Sequence, residues 1–206
     1  MSTFEMVAAG LALVGAVIFA AGVIAILIAT QRRPYNAELA PIKGSPAQGV
    51  LWAFTLGMAP WAKESGRIHW IAYIRGVIVH LGIFVGAAYL IATPWLAQMP
   101  EPLRFSLAAL FVVGTLLGLA GFWIRMADPT MRLLSTPDDY CSLALVTLFL
   151  ASAAMSAYAM KYLPAFWAIS GITMAYTPFG KLRHFIYFFY DRVFLGLAFG
   201  RRNALK

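Results

Sequence analysis

Cysteine and acidic residues are scarce in this chain of 206 residues. Cys141 is the single cysteine, so an internal disulfide and a cluster of cysteine thiolates are both excluded. Only eight residues are acidic and 12% are charged, whereas 62% are hydrophobic and the mean hydropathy is +0.78. A soluble domain has about 25% charged residues. The composition therefore predicts an integral membrane protein.

Five apolar runs are long enough to cross a bilayer, which takes about 20 residues of helix. Lipid cannot hydrogen-bond an exposed backbone, so each run is predicted to be an α-helix. The sequence thus predicts an all-α integral membrane protein, a five-helix transmembrane bundle that forms one domain over residues 1–206. The predicted helices cover approximately residues 6–30, 68–95, 103–125, 141–162 and 164–190. The first run lacks a basic leading segment and a small-residue cleavage site, which favours a retained helix over a signal peptide.

The basic residues predict the orientation of these helices. Thirteen of the sixteen Lys and Arg residues fall in residues 31–67, in the connection after the third helix or in the C-terminal region, and the opposite side has only Arg104 and Lys161. By the positive-inside rule, the N-terminus is outside and the C-terminus is cytoplasmic, which agrees with five spans. The net charge of +8 therefore indicates topology rather than nucleic-acid binding.

The cytoplasmic connections contain three distinct segments. Pro34–Gly44 is interrupted by proline and glycine and is predicted to be an irregular loop. Gly49–Pro60 is apolar and aromatic but too short to span, so it is predicted to lie at the membrane interface. Ser135 or Thr136 stands before Pro137 and two acids, a pattern typical of a helix N-terminus.

Two histidines lie in or beside the apolar runs. His80 belongs to the second run, and His184 follows the uninterrupted part of the last run by about one turn. An imidazole in a bilayer is costly and needs a partner, so each is a candidate functional residue. Two histidines on different helices are what a b-type haem needs, because its iron takes one axial ligand from each side. The alternative is that each imidazole only hydrogen-bonds a neighbouring helix.

Depth in the membrane does not identify the partner of His184. His69 and His80 are eleven residues apart, close to three helical turns, so they share one helix face. At 1.5 Å per residue, His80 lies about 6 Å inside the cytoplasmic edge of the apolar core, while His184 lies about as far outside it. His69 lies about 10 Å outside the same edge. Both His80 and His69 therefore remain possible partners.

Glycines and arginines near these histidines are candidate cofactor-binding residues. Gly180 lies one turn before His184 and would let a flat macrocycle approach the backbone closely. Gly76 holds the corresponding place before His80. Arg75, Lys181 and Arg183 lie at the same level and could pair with haem propionates, although anchoring at the membrane edge explains them equally well.

Five short stretches carry a resemblance to a known family. Gly49–Met58, with Lys63–Ser65 and Gly76–Phe84, resembles the membrane subunits of the heterodisulfide-reductase and sulfite-reductase-associated electron-transfer complexes. Leu134–Tyr140 fits the same group. Thr177–His184 resembles the Pro-Phe-Ser-x-Leu-Val-His segment of the respiratory nitrate reductase gamma subunit. The resemblance extends over all five predicted helices, although only these stretches are specific.

The resemblance implies a cofactor and its ligands. In this superfamily, five helices hold b haems between helices two and five, exchange electrons with a quinone and dock a cytoplasmic iron–sulfur subunit. His80 and His184 correspond to the ligands of the haem nearer the cytoplasm, which favours His80 over His69. Leu90 and Phe166 stand where two-haem members have further histidines. The resemblance therefore implies one haem b in this chain.

The expected function is that of a membrane cytochrome b subunit in a respiratory redox complex of the prokaryotic inner membrane. Such a multi-pass chain passes electrons between the membrane quinone pool and a cytoplasmic iron–sulfur subunit of heterodisulfide-reductase-like or nitrate-reductase-like type, within a hetero-oligomer. With a single cysteine, the chain leaves iron–sulfur chemistry to that partner. The alternative is a cofactor-free membrane anchor for a peripheral redox enzyme. A transporter is disfavoured because the spans have almost no acids and no internal repeat.

Several polar residues are candidates for a quinone site, and each has a structural alternative. They are His69, Arg75, Asp138, Asp139 and Tyr140. The two acids are expected to cap a helix instead, and His69 is expected to cap the second helix or lie on the surface.

Overall fold

The computed structural model describes residues 2–34, 41–62 and 64–204. Most of the predicted loop Pro34–Gly44, together with Lys63 and Lys206, lies outside the described residues. The elements within these ranges are all helical. The α-helices are α1 (Thr3–Gln31), α2 (Pro46–Phe54), α3 (Glu64–Ile68), α4 (Trp70–Ile91), α5 (Glu101–Ala127), α6 (Pro129–Leu134), α7 (Pro137–Tyr158), α8 (Leu163–Tyr176) and α9 (His184–Arg201). Short 3-10 turns occur at Leu56–Met58, Pro60–Ala62, Thr93–Gln98, Met160–Tyr162 and Lys181–Arg183.

Four of these helices are long and apolar enough to cross a membrane: α1, α4, α5 and α7. The all-helical class and the first four predicted helices are therefore confirmed, with ends that differ by a few residues. Only 6% of the most apolar stretch of α1 is buried in the protein, against 56% for α7. Side chains left exposed on such helices suit contact with lipid, whereas α7 lies at the centre of its packed unit.

The predicted fifth helix, 164–190, is not continuous. It is divided into α8, which ends at Tyr176, and α9, which begins at His184. Pro178 has no N–H to donate, and its ring would clash with a carbonyl one turn back. The N–H groups of Phe179 and Gly180 both donate to Tyr176 O, at 3.0 and 3.1 Å, and close a turn instead. The fourteen residues of α8 extend about 21 Å, less than the roughly 30 Å of a hydrocarbon core. The five-helix count and the orientation of the termini stay predictions.

Packing divides the chain into two compact units. Unit 1 comprises Met1–Gly22 and Arg75–Leu182, and unit 2 comprises Val23–Ile74 and Arg183–Lys206. The division falls within α1 and α4, so each of these helices contributes residues to both units. The expectation of a single domain over residues 1–206 stays a prediction.

An aromatic cluster fills the core of unit 1 at the end where α4 and α7 finish. We define it as Tyr89, Phe111, Phe149 and Phe166. The Tyr89 ring lies 5.7 Å from that of Phe111 and 5.5 Å from that of Phe166, and the Phe149 and Phe166 rings are also 5.5 Å apart. Phe111 and Phe166 are completely buried. Gly86 makes room for the cluster, because a Cβ there would lie 2.7 Å from Cε1 of Phe149.

In unit 2, α2 packs directly on α9 through glycines. A Cβ at Gly200 would lie 2.4 Å from Ser45 O, so only glycine allows the two backbones to approach this closely. The guanidinium of Arg192 donates to Ala53 O at 3.3 Å, near the C-terminal end of α2. The predicted interfacial segment Gly49–Pro60 is thus a short helix followed by 3-10 turns, and it serves as a support for α9.

Candidate functional site

The imidazole of His80 has a defined orientation on α4, in unit 1. Its Nδ1 lies 2.7 Å from Gly76 O, one turn earlier in the helix. A carbonyl oxygen only accepts hydrogen bonds, so Nδ1 is the donor here, and in the neutral imidazole Nε2 then carries the lone pair. Histidines that ligate metals commonly donate their other ring N–H to a carbonyl in this way, which fixes the tautomer and the ring. The side chain is exposed on the surface of the described chain. Ligation of a haem iron through His80 Nε2 stays a prediction.

Gly76 and Arg75 lie beside this histidine, on the same helix. A Cβ at Gly76 would have no described atom within 4 Å, so packing within the described chain does not require glycine there. The Arg75 guanidinium lies against α5, with Nε and Cζ 3.9 Å from the position of a Cβ at Gly121. Among the described residues, no hydrogen bond or ion pair is found for Arg75. A cation at the end of a spanning segment can reach the aqueous interface or pair with an anion, such as a carboxylate of a bound group.

His184 is the first residue of α9, in unit 2, and its side chain is exposed. Arg183 precedes it in a 3-10 turn and is exposed as well. The residues after His184 line an apolar groove of about 610 Å³ between the α1 and α9 segments of unit 2. Phe185, Ile186 and Phe189 contribute to its walls. A planar apolar group held by His184 would thus have apolar side chains beside it.

Gly180 has a neighbour that the sequence did not indicate. A Cβ at this buried glycine would lie 2.2 Å from Cε1 of Tyr176, so the Tyr176 ring itself excludes any larger residue. This packing explains the glycine, while its contact with a cofactor stays a prediction.

The structure brings some of the predicted residues together and leaves others apart. Unit 1 contains Arg75, Gly76 and His80 on a single helix, as well as Tyr140 and Gly180. Unit 2 contains His69, Arg183 and His184. The pairing of His80 with His184 involves both units and therefore stays a prediction.

The candidate quinone-site residues have other partners. The Tyr140 hydroxyl donates to Arg125 O at 3.2 Å, and its ring meets that of Phe122 edge-on at 5.7 Å. His69 lies in the turn between α3 and α4, where its carbonyl accepts from the N–H of Tyr73 at 3.0 Å and its side chain is exposed. This position agrees with the expectation that His69 caps the helix or lies on the surface.

Asp138 and Asp139, at the start of α7, have different roles. The N–H and hydroxyl of Thr136 both donate to Asp139 Oδ2, at 2.8 and 2.9 Å, which confirms the predicted cap for this residue. Asp138 instead accepts hydrogen bonds from the hydroxyls of Tyr176 and Ser142. Tyr176 is far away in sequence, and no local pattern indicates this contact.

Groups of three or more His, Cys, Asp or Glu side chains that could hold a metal ion do not occur in the described part of the chain. A bis-histidine haem takes only two ligands from the protein, so this finding does not bear on it.

The residues at the positions of a second haem are packed. Phe166 is completely buried in the aromatic cluster, and Leu90 packs against the same core. The side chains at these two positions therefore offer no ligand atom, and both are packed in the core of unit 1.

Comparisons of this chain with family models, with curated proteins and with solved structures found no match. The resemblance described above therefore depends on its short motifs alone.

Proposed function

We propose that this chain is the membrane cytochrome b subunit of a respiratory redox complex. In this role, it carries electrons between the membrane quinone pool and a cytoplasmic iron–sulfur subunit. His80 and His184 would bind one haem b, which supplies a one-electron redox centre. The observation that best supports this role is the His80 ring, whose Nδ1 lies 2.7 Å from Gly76 O, because metal-ligating histidines commonly donate their other ring N–H to a backbone carbonyl.

The residues around His80 and His184 would bind the haem and shield it from water. Arg75 and Arg183 provide positive charge for its propionates, and Gly76 leaves space beside His80. Phe185 and Ile186 follow His184 directly and line an apolar groove in the same unit. Burial in apolar surroundings and the choice of axial ligands are the means by which a protein sets the potential of a haem.

Packing in unit 1 supports a single haem. Histidines at positions 90 and 166 would be needed for a second site, but the chain has Leu90 and the buried Phe166 there. Phe166 is in ring contact with both Tyr89 and Phe149, so a second macrocycle would have to displace the core of unit 1.

The proposed location is the prokaryotic inner membrane, with the C-terminus in the cytoplasm. The four apolar helices support a membrane protein, and the distribution of Lys and Arg supports the orientation. The iron–sulfur partner would dock on the cytoplasmic side. Part of the Gly49–Pro60 segment is available to a partner or to the headgroup region, because Leu51 and Leu56 on it are more than 60% exposed.

A cofactor-free membrane anchor is the second candidate. It is favoured by the exposure of both His80 and His184, since imidazoles at a membrane edge also serve as hydrogen-bonding groups. Both candidates require the same apolar helices, so topology does not separate them.

A visible spectrum of the purified chain tests the proposal against this alternative. The chain should be produced in cells that make haem and purified in mild detergent. A reduced-minus-oxidised spectrum of a low-spin b haem is expected. Protein that is monodisperse and colourless, even after addition of hemin, would contradict the proposal and favour the anchor.

A further inference from the structure

Two acidic side chains at the start of α7 hold the chain that follows α8, within unit 1. The Tyr176 hydroxyl donates to Asp138 Oδ1, and the Lys181 ammonium donates to Asp139 Oδ2 at 2.5 Å. Tyr176 and Lys181 are the residues at either end of the turn Thr177–Gly180. The interruption of the predicted fifth helix is therefore fastened to α7 on both sides. We call these four residues the α7 clamp.

Each carboxylate of the α7 clamp also has partners other than Tyr176 and Lys181. Asp139 Oδ2 accepts the N–H and hydroxyl of Thr136, and its Oδ1 lies 3.8 Å from Nη1 of Arg125. Asp138 accepts from the Ser142 hydroxyl at 3.3 Å. The Asp139 side chain is only 12% exposed, whereas the Lys181 side chain is 48% exposed, so water screens the ion pair mainly from the Lys181 side. Several hydrogen bonds and ion pairs therefore fix the positions of the Asp138 and Asp139 carboxylates.

The turn between the two anchors has little freedom of its own. Pro178 packs against α1, where a Cβ at Gly22 would lie 2.3 Å from the Pro178 Cβ. Gly180 lies against the Tyr176 ring, and the hydroxyl of Thr177 donates to Thr173 O at 2.7 Å. Packing and hydrogen bonds therefore determine the path of the chain up to Lys181.

His184 follows this fixed path without an intervening loop. Lys181–Arg183 is a 3-10 turn, and α9 begins at the next residue, which is His184. Only Leu182 and Arg183 separate Lys181 from His184, and both belong to this turn. The spacing from the Lys181 anchor to the histidine is therefore set by regular structure.

We propose that Asp138 and Asp139 are positioning residues for His184, which act through Tyr176 and Lys181. This inference rests on the proposed function, in which His184 is an axial ligand. Groups that fix the orientation of a ligating histidine also tune the electronic properties of the metal that it binds. Variants that remove the α7 clamp should retain His184 in the sequence but increase the mobility of the backbone around it.

The first test measures backbone hydrogen exchange and needs no haem. Asp139→Asn keeps an oxygen that can accept from Thr136 but removes the charge that pairs with Lys181. Asp128→Asn is the matched control, because it removes one charge at the α6 cap, where asparagine caps as well as aspartate. Faster exchange in a peptide covering 177–186 is expected in Asp139→Asn and not in Asp128→Asn. Equal exchange in both variants would overturn the proposal.

The second test measures the low-spin signal of the haem by electron paramagnetic resonance. Asp139→Asn and Lys181→Gln should shift this signal to the same extent, and the double variant should shift it no further than either single one, because residues that act as one pair are not additive. Tyr176→Phe tests the hydrogen bond to Asp138 by the same measurement. It replaces Asp139→Asn as the test if that variant cannot be produced as folded protein. Unchanged signals, or additive shifts, would contradict the clamp. A colourless wild-type protein would count against the proposed function alone, because hydrogen exchange still tests the clamp.

Discussion

The backbones of Gly49 and Gly196 touch in unit 2. A Cβ placed on Gly49 of α2 would lie 2.0 Å from Gly196 O of α9, and one on Gly196 would lie 2.5 Å from the Cα of Val50. No side chain separates the two helices at this point. The helix that begins at His184 is therefore packed directly on a short helix from the Gln31–Arg67 region.

Gly49→Ala is expected to destabilise the protein by about 1–3 kcal/mol, because the added methyl forces the α2 and α9 backbones apart. Thermal unfolding followed by size-exclusion chromatography in detergent measures this loss. Gly10→Ala is the matched control, since a Cβ at Gly10 in α1 would have no described atom within 4 Å. This control should unfold at the wild-type temperature or slightly above it, because alanine is the better helix former. A Gly49→Ala variant as stable as Gly10→Ala would show that the close approach does not exist.

His80→Ala and His184→Ala should each abolish the haem absorbance, because a bis-histidine iron loses an axial ligand in either variant. His69→Ala is the control and should keep the wild-type spectrum, since His69 lies in the turn before α4. Each spectrum should be normalised to the amount of monodisperse protein. Loss of haem in His69→Ala with retention in His80→Ala would refute the pairing.

A pyridine haemochrome assay should give about one haem b per chain. The physical reason is that Phe166 is completely buried among aromatic rings and Leu90 packs on the same core, so neither position can ligate iron. A value near two would mean that His69 or a residue other than histidine completes another site.

Cross-links from an iron–sulfur partner should map to the predicted cytoplasmic surface. They are expected at Gly49–Pro60 and at the start of α7, Pro137–Tyr140, because electron transfer requires a short distance between the two redox centres. The experiment is cross-linking and mass spectrometry on the intact complex from native membranes. Contacts confined to Pro94–Pro102, or to the turn at Leu163, would place the partner on the other side and contradict the prediction.

The sequence predicted those parts of the fold that depend on local patterns. The start of α7 was recognisable because Thr136, Pro137 and Asp139 are adjacent and carry the cap chemistry themselves. The interruption after Tyr176 was missed, although Pro178 and Gly180 are breaker residues, because hydropathy alone continues through them.

Contacts between distant segments could not be predicted in the same way. Asp138 was expected to cap α7, but it meets Tyr176, and nothing near either residue in sequence indicates the other. The contact between Gly49 and Gly196 could not be predicted for the same reason. A glycine in the sequence shows that another backbone could approach it, but not which segment of the chain does so. In the candidate site, the histidines could be identified from the sequence by residue type. The hydrogen bond from His80 to Gly76 O became evident only from the structure.

The aromatic cluster has an electrical consequence for the proposed function. Tyr89 lies about 14 Å along α4 from His80, so the cluster fills unit 1 well away from the proposed ligand. Moving one charge across a bilayer changes its energy by about 2.3 kcal/mol per 100 mV. With a single haem near one membrane face and packed rings toward the other, electrons would enter and leave on the same side. Turnover would then be insensitive to membrane voltage, and the charge separation that drives ATP synthesis would have to come from another enzyme.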